Sequence, residues 1–299
     1  MEGIALTEIE PENGFGDRRF SFCIGGTQKS GTSTLSVMLD KHRMIQRAPR
    51  KEMHYFDDET RDWASGDFSD FTVPAKRDRE QLVGDATPLY LWWPQALERI
   101  RAYNPDMKMI AIFRDPVERL FSQWVMNVNR WPEVAPDWPE FLTRFAPSGL
   151  EDRIPEGAHV GSYRMNSGIV RGYYGAQLEH GYSVLGQEQF HVVEFRSFLK
   201  DYQTHLDRIT EFLGIHAFRK YPDLPNAFPG KPTVIGTAPT GADINHLVDV
   251  YRADFAKFKK LSGLDVSAWP LQRLLDGDLD ADELAAQYAK KVVATAAHD

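Results

Sequence analysis

Short apolar runs alternate along this chain with segments whose apolar residues recur every three or four positions. The runs Phe20–Ile24, Lys108–Phe113 and Phe190–Glu194 have the length and apolar content of buried strands. Met44–Arg47 and Gln81–Asp85 are predicted as shorter strands. Strands that alternate with helices are typical of an α/β fold with a parallel sheet.

Helical spacing follows several of these runs. Leu35, Met38 and Leu39 share one face of a helix predicted to begin near Thr32. The same periodicity predicts further helices over Trp92–Tyr103, Tyr202–Leu213, Ile244–Leu261 and Leu284–Ala297.

The remaining segments lack a clear period. We expect a flexible arm over residues 1–19, one domain over 20–270, and a C-terminal helical tail over 271–299 that packs on the domain or extends from it. Irregular structure is predicted for four segments: a lid-like stretch at Asp57–Arg79, helical insertions and loops over the mouth of the functional site at 125–160, a loop at Pro222–Gly241, and an acidic turn at Asp276–Glu283.

Composition narrows the classes of partner. The chain has 299 residues, a net charge of -8 and a pI near 5.6, which argues against nucleic acid or an anionic membrane as a partner because either requires a basic face. Cys23 is the only cysteine and is predicted to be a buried structural thiol. With neither a signal peptide nor an apolar run of membrane-spanning length in the sequence, we expect a cytoplasmic protein.

The stretch between the first predicted strand and helix carries the clearest chemistry. Gly25, Gly26 and Gly31 allow backbone amides to turn inward, and the hydroxyls of Thr32, Ser33 and Thr34 fall at the helix start. Strand, glycine loop and helix together predict an anion site. The GxxxxG spacing is that of a nucleotide-triphosphate loop, but Thr32 stands where that motif requires lysine, and the lysine is instead at position 29.

Gln28–Leu35 resembles the 5′-phosphosulfate loop of sulfotransferases that use 3′-phosphoadenosine 5′-phosphosulfate (PAPS), especially the bacterial and heparan-sulfate-type branch. The resemblance implies a P-loop-like three-layer α/β fold with a central parallel sheet flanked by helices. It implies PAPS as cofactor, adenosine 3′,5′-bisphosphate as product, and no metal. The residues implied to bind the 5′-phosphate are Thr27, Gln28, Lys29, Ser30, Gly31, Thr32, Ser33 and Thr34.

The segment Lys51–Phe56 resembles a second motif of the same family, whose glutamate is the general base. This implies that Glu52 takes the proton of the acceptor hydroxyl while Lys29 stabilises the leaving phosphate oxygen. His54 is the alternative base. We expect Met53, Tyr55 and Phe56 to form an apolar wall that raises the pKa of Glu52.

The third motif lies at the end of the strand Lys108–Phe113. Asp115 is predicted as a helix N-cap, and the segment from Arg114 to Trp124 resembles the family's 3′-phosphate motif. This implies that Arg114 and Ser122, two helical turns apart, bind that phosphate. A later segment from Arg171 to Leu178 also resembles the family, and it implies Arg171 or Tyr173 near the bound nucleotide.

Two positions depart from the family pattern. Ala86 stands where members often carry a lysine, and Val234–Pro239 has no basic residue where members carry a basic loop, which leaves Lys231 as the nearest cation. The details of acceptor activation therefore stay open. A magnesium-dependent P-loop kinase, with Asp85 as the sole candidate ligand, and a non-catalytic nucleotide-binding protein of the same fold are the alternatives.

The acceptor is the least determined part of the reaction. Net negative charge opposes a long polyanionic glycan. We expect a small-molecule or sugar-bearing acceptor, as in secondary metabolism, on aromatic residues: Tyr90, Trp92, Trp93, Trp124, Trp131 and Trp138. The oligomeric state cannot be predicted from these patterns.

Overall fold

The computed structural model describes residues 16–76, 81–143, 160–225 and 234–293. Its strands, numbered in chain order, are β1 (Asp17–Arg19), β2 (Phe22–Gly26), β3 (Ile45–Arg47), β4 (Thr72–Pro74), β5 (Leu82–Asp85), β6 (Lys108–Phe113), β7 (Phe190–Glu194), β8 (Val234–Ile235) and β9 (Val292–Val293).

Its helices are α1 (Thr32–Leu39), α2 (Ala96–Tyr103), α3 (Pro116–Arg130), α4 (Trp138–Thr143), α5 (Val160–Asn166), α6 (Tyr174–Leu185), α7 (Phe195–Lys200), α8 (Tyr202–Leu213), α9 (Gly241–Ser262), α10 (Pro270–Asp276) and α11 (Ala281–Ala289). Short 3-10 turns lie at Trp63–Ser65, Val170–Gly172 and Gln187–Gln189.

Five strands form a parallel sheet in the order β3-β5-β2-β6-β7. The central position of β2 brings the phosphate loop to the middle of the sheet edge at which the strands end. The ends of β5 and β6 lie on either side of that loop, because the carboxyl ends of parallel strands share one edge.

The sheet separates two apolar layers, as β6 shows most clearly. Met109, Ala111 and Phe113 belong to one core cluster, whereas Ile110 and Ile112 belong to the other. This alternation follows from the two-residue period of a strand, and it buries both faces of β6 under helices. The predicted α/β fold with a central parallel sheet flanked by helices is therefore confirmed.

Local patterns predicted most of the sheet and the helices that cover it. The bounds of β6, β7 and α8 are those predicted from the sequence. The second helix, however, begins at Ala96 rather than Trp92, since Gln95 adopts a left-handed conformation with φ of 62°. A left-handed residue interrupts the helix ladder, so the aromatic residues before it lie in turns.

Both ends of the described chain differ from the prediction. Residues 17–19, expected in a flexible arm, form β1 and pair with β4 inside the segment predicted as irregular. The helix predicted over Leu284–Ala297 ends at Ala289, and β9 then pairs with β8, which was predicted as loop. Asp280 also begins α11 within the predicted acidic turn, by accepting from the amides of Asp282 and Glu283.

Across the residues whose positions are given above, no helix is both long and apolar enough to cross a bilayer. Cys23 is buried in β2, in agreement with the role predicted for it as a buried thiol.

Candidate active site

The phosphate loop connects β2 to α1. The Thr27 amide donates to the Ile112 carbonyl at 2.8 Å, and the Thr27 hydroxyl lies 2.7 Å from the Ser30 hydroxyl. Gly31 is the N-cap of α1 and provides no side-chain capping bond. The amides at the start of α1 therefore lack a side-chain acceptor from the N-cap and are suited to an anion.

Gly31 is required for its conformation and for its close contact. Its φ is 88°, and a Cβ atom there would lie 2.7 Å from the ring of Phe195. Phe195 begins α7, directly after β7, so the phosphate loop is packed against the next strand-to-helix connection. Any larger residue at position 31 would move the loop or the ring.

Lys29 lies in the loop with φ of 71° and is half-buried. Burial and the positive charges of Arg114 and Lys51 lower its pKa, whereas Glu52 opposes that change. The predicted leaving-group lysine, the predicted base and the strand-end arginine therefore lie within electrostatic range of one another.

The loop that carries Glu52 is held by the last residue of β5 and the chain segment after it. Amides of residues 53–55 donate to Asp85, Thr87 and Tyr90 at 3.4, 3.4 and 3.1 Å respectively. Asp85 also accepts from the hydroxyls of Thr87 and Tyr90 at 2.9 and 2.7 Å. Asp85 is thus the centre of a buried hydrogen-bond network that positions the loop.

The pKa of Glu52 is lowered, whereas the sequence led us to expect a raised pKa. Burial raises its pKa, but hydrogen bonds from His54 and Lys51 outweigh burial and bring the pKa to about 2. The predicted increase in pKa is therefore wrong. Tyr55 and Phe56 are buried in an aromatic cluster with Phe71.

His54 is held between two carboxylates. Its Nε2 lies 3.6 Å from Glu52 Oε2, and its Nδ1 lies 2.8 Å from Asp57 Oδ2. Burial lowers the pKa of His54, but hydrogen bonds to Asp57 and Glu52 outweigh it and raise the pKa to about 9. The imidazole is therefore protonated at neutral pH.

Asp57 and Arg164 were missed by sequence reasoning. Asp57 is fully buried, and its Oδ2 accepts from Arg164 Nη2 at 3.0 Å as well as contacting His54. Asp57 follows the glutamate segment directly, so its position in the chain was a usable signal. Arg164 comes from α5, more than 100 residues later in the chain, and no sequence pattern pointed to it.

Arg114 stands at the end of β6, beside the phosphate loop. Its Nη1 donates to the Lys29 carbonyl at 3.4 Å, and its Nε donates to Glu118 at 3.3 Å. Glu118 and Ser122 lie four residues apart on α3 and so share one face of it. Asp115 caps α3 as predicted, by accepting from the Glu118 amide at 2.9 Å.

The structure brings Arg171 to the phosphate loop, where its Nη1 donates to Gln28 Oε1 at 2.6 Å. Tyr173 contacts Tyr251 of α9 at a ring distance of 5.8 Å. Its neighbour Tyr174 donates its hydroxyl to the Arg114 carbonyl at 3.0 Å, a contact that sequence reasoning did not assign.

The remaining sequence hypotheses concern the aromatic residues proposed for the acceptor, Ala86 and Lys231. Five of the six aromatic side chains proposed for the acceptor are buried in the core: Tyr90, Trp92, Trp93, Trp124 and Trp138. Of these, Trp92 and Trp93 line a cavity of about 910 Å³, and the Arg171 guanidinium lies 4.8 Å from the Trp92 ring, whereas Trp131 is exposed. Ala86 is buried, and Lys231 lies outside the described residues.

The site thus combines three features that the sequence motifs implied. They are the anion loop after β2, Arg114 at the end of β6, and Glu52 in a loop held by the end of β5 and the residues that follow it. A family model described as "Sulfotransferase domain" matches residues 21–223. The chain belongs to the sulfotransferase family. The family resemblance stated from the motifs is thereby confirmed.

Among its relatives are two heparan-sulfate-type sulfotransferases. Heparan sulfate glucosamine 3-O-sulfotransferase 3B1 of Mus musculus is 27% identical over 80% of this chain and 62% of that protein. Heparan sulfate glucosamine 3-O-sulfotransferase 6 of Homo sapiens is 26% identical over 85% of this chain and 75% of that protein. A crystal structure of a sulfotransferase from Alicyclobacillus acidocaldarius superposes with a TM-score of 0.64 at 26% identity, over 84% of this chain and 99% of that one.

A membrane-associated sulfotransferase, kil1 of Dictyostelium discoideum, is 33% identical over 36% of this sulfotransferase chain and 23% of that protein. The chain therefore spans less than two thirds of the length of two of these relatives. It matches 23% of kil1 and 62% of the 3B1 enzyme.

Proposed function

We propose that this protein transfers a sulfuryl group from PAPS to a hydroxyl of a small-molecule or sugar-bearing acceptor. The observation that carries the proposal is the shared electrostatic environment of Lys29, Glu52 and Arg114 at the end of the phosphate loop. Members of the sulfotransferase family generally use PAPS and act on small-molecule or sugar acceptors.

The residues present fit a phosphosulfate nucleotide. The N-cap of α1 has no side-chain acceptor, and Lys29 supplies a cation to the same loop. We assign the 5′-phosphate to residues 27–34 and the 3′-phosphate to Arg114 and Ser122. Arg171 acts through Gln28, whose side-chain carbonyl accepts from it, and so positions the loop.

PAPS, when bound, supplies an activated sulfuryl group on a good leaving group. Glu52, ionised at neutral pH because its pKa is about 2, accepts the hydroxyl proton as the new oxygen–sulfur bond forms. Lys29 donates to the phosphate oxygen on which negative charge develops as the old sulfur–oxygen bond breaks. Its lowered pKa makes that proton donation easier.

We propose Glu52, rather than His54, as the base. With a pKa of about 9, His54 already carries its proton at neutral pH and so cannot accept another. The imidazolium instead places positive charge beside Glu52, near the reacting group, and Asp57 and Arg164 hold it there. A cationic His54 thus supplies a positive charge to a site in which Ala86 replaces the lysine that family members often carry.

The acceptor is proposed on charge alone. The net charge of -8 opposes a long polyanion, although relatives are named for heparan sulfate, so a small or lightly charged acceptor from secondary metabolism fits this chain better. We also propose a reducing, cytoplasmic location, because the sole cysteine is buried in β2. Fractionation of the native host tests the location.

Calorimetric titration with adenosine 3′,5′-bisphosphate in the presence of a chelator tests the proposed cofactor, beside a titration with ATP and magnesium. We expect micromolar binding of the bisphosphate without metal, about -8 kcal/mol. Binding of only ATP with magnesium would contradict the proposal and favour the kinase alternative. Binding without turnover on a broad panel of hydroxyl acceptors would favour the non-catalytic alternative.

A further inference from the structure

Arg171 is a buried cation that donates to three uncharged acceptors. Its Nη1 donates to Gln28 Oε1 at 2.6 Å, and its Nε donates to Ser167 Oγ at 2.9 Å. Its Nη2 donates to the carbonyl of Arg164. The fork of one guanidinium thus joins the phosphate loop to α5 and to the residue that follows it.

The surroundings of Arg171 disfavour its charge. Burial, and then the positive charges of Arg119 and Arg164, lower the pKa of Arg171 to about 9, whereas Asp57 opposes this change. A buried charge is costly unless a counter-charge compensates for it. An anion in the phosphate loop, to which Gln28 belongs, supplies such a counter-charge. Anion binding therefore stabilises the arrangement in which Arg171 holds Gln28.

The backbone and the side chain of Arg164 point to different parts of the site. Its carbonyl accepts from Arg171, whereas its Nη2 donates to the Asp57 carbonyl at 2.8 Å and to Asp57 Oδ2 at 3.0 Å. Asp57 Oδ2 lies 2.8 Å from His54 Nδ1, and His54 Nε2 lies 3.6 Å from Glu52 Oε2. Arg164 thus connects the residue that holds the phosphate loop to the cluster that contains the proposed base.

Two consecutive tryptophans hold the two guanidinium groups. The guanidinium of Arg171 lies 4.8 Å from the centre of the Trp92 ring, and that of Arg164 lies 4.9 Å from the centre of the Trp93 ring. Trp92 also stacks on Tyr163 of α5 at 5.4 Å. Because both rings are buried, this packing couples the positions of the two arginines.

We propose that Arg171 is a positioning residue for the base as well as for the phosphate loop. Nucleotide bound at the loop stabilises the contacts of Arg171, these contacts hold Arg164 on Asp57, and Asp57 orients His54 beside Glu52. The inference rests on the proposed function, because the nucleotide is the ligand that favours this arrangement. The base is then fully oriented only when the sulfuryl donor is bound.

Linkage makes this coupling reciprocal, and that gives a binding test. If nucleotide binding favours the contact between Arg164 and Asp57, loss of that contact must weaken nucleotide binding. In calorimetry we expect Arg164→Gln to lower the affinity for adenosine 3′,5′-bisphosphate about fivefold or more. In an Arg171→Lys background the same change should cost less than about twofold, because a lysine ammonium cannot span the three acceptors.

Arg61→Gln is the matched control for Arg164→Gln. Arg61 also pairs with a carboxylate and lies over an aromatic ring, since it donates to both oxygens of Asp70 at 2.7 Å and lies 4.0 Å from the Tyr55 ring. Its side chain is 24% exposed, against 30% for Arg164. The control removes the same charge and should leave bisphosphate affinity within about twofold.

The imidazole of His54 provides a spectroscopic readout that a general loss of stability would not imitate. The charged groups that face it are Glu52 and Asp57 from its own loop and Arg164 from α5. Saturation with the bisphosphate should shift its NMR resonances in the wild-type protein. In Arg171→Lys, also at saturation, that shift should fall by about half or more. Lysine keeps the positive charge, so the direct field of the nucleotide at His54 is retained.

Gln28→Ala provides a second variant that leaves both arginines in place. It removes the acceptor through which Arg171 reaches the phosphate loop, so it should reduce the His54 shift in the same way. A folded Gln28→Ala protein therefore keeps the test decisive if Arg171→Lys does not fold.

Three results would each overturn this inference and leave the proposed function standing. They are unchanged bisphosphate affinity in Arg164→Gln, additive losses in the double variant, and a His54 shift of wild-type size in saturated Arg171→Lys and Gln28→Ala. A wild-type protein that does not bind the bisphosphate at all would instead overturn the proposed function, and this inference with it.

Discussion

The charge of His54 depends on a buried carboxylate, and Asp57→Asn should remove it. Asp57 contributes both a hydrogen bond and charge that raise the pKa of His54, whereas burial and Arg164 lower it. With Asp57 neutral, only Glu52 still favours the imidazolium. We expect the pKa of His54 to fall from about 9 to about 6.5 or lower.

The fall corresponds to a change of about 300-fold in proton affinity, or about 3 kcal/mol at full strength. The His54 side chain is 31% exposed, so solvent screening reduces its contribution to folding stability to about 1–2 kcal/mol. Because the folded-state pKa is raised, that stability is fully present below about pH 6.5 and is lost as pH rises through about 9. Asp57→Asn should abolish this pH dependence.

NMR titration of the imidazole resonances measures the pKa directly. The chain has nine histidines, and the resonance lost in His54→Gln identifies the relevant one. Arg164→Gln is the matched control. Like Asp57→Asn it breaks the ion pair between Arg164 and Asp57, but it removes a positive charge that lowers the pKa of His54. In that variant the pKa should stay near 9 or rise. A His54 pKa that stays near 9 in folded Asp57→Asn would refute the reasoning.

Three further predictions concern the reaction and the loop. Glu52→Gln should lower kcat by about 10²- to 10⁴-fold and leave bisphosphate affinity within about twofold, as measured by steady-state kinetics and calorimetry; normal turnover would exclude Glu52 as the base. Arg114→Ala should weaken bisphosphate binding by about 10- to 100-fold; unchanged affinity would place the 3′-phosphate elsewhere. Gly31→Ala should lower the free energy of unfolding by about 1–2 kcal/mol in denaturant titrations, because φ is 88° and the new Cβ would lie 2.7 Å from Phe195; an unchanged midpoint would contradict that strain.

The strands and the phosphate loop were predictable because their signals are local. The run Lys108–Phe113 is apolar on both faces, and this alone predicts a strand covered on both sides. Asp115 and Pro116 predict the start of α3 from two neighbouring residues. The order of the motifs along the chain was enough to indicate the family. Because the carboxyl ends of parallel strands meet at one edge, motifs that follow different strands were expected to lie at one site.

Errors arose where a neighbour in space outweighed neighbours in sequence. Alanine-rich residues after Leu284 favour a helix, but Val292 and Val293 pair instead with β8, some 58 positions away at Val234 and Ile235. The pKa of Glu52 was predicted from the apolar residues beside it, and Lys51 and His54 reversed the direction. No sequence pattern predicts the left-handed backbone conformation that Glu52 and His54 adopt.

The sequence by itself determined the order along the chain of the five strands of the parallel sheet and the anion loop between β2 and α1, and it supplied the residues proposed for sulfuryl transfer. Only the tertiary structure decided which charges meet. Arg164 reaches Asp57 across 107 positions, and Arg171 reaches Gln28 across 143. Such pairs have no period or spacing in the chain, because they depend on how helices pack over the sheet, and packing is set by the whole core at once.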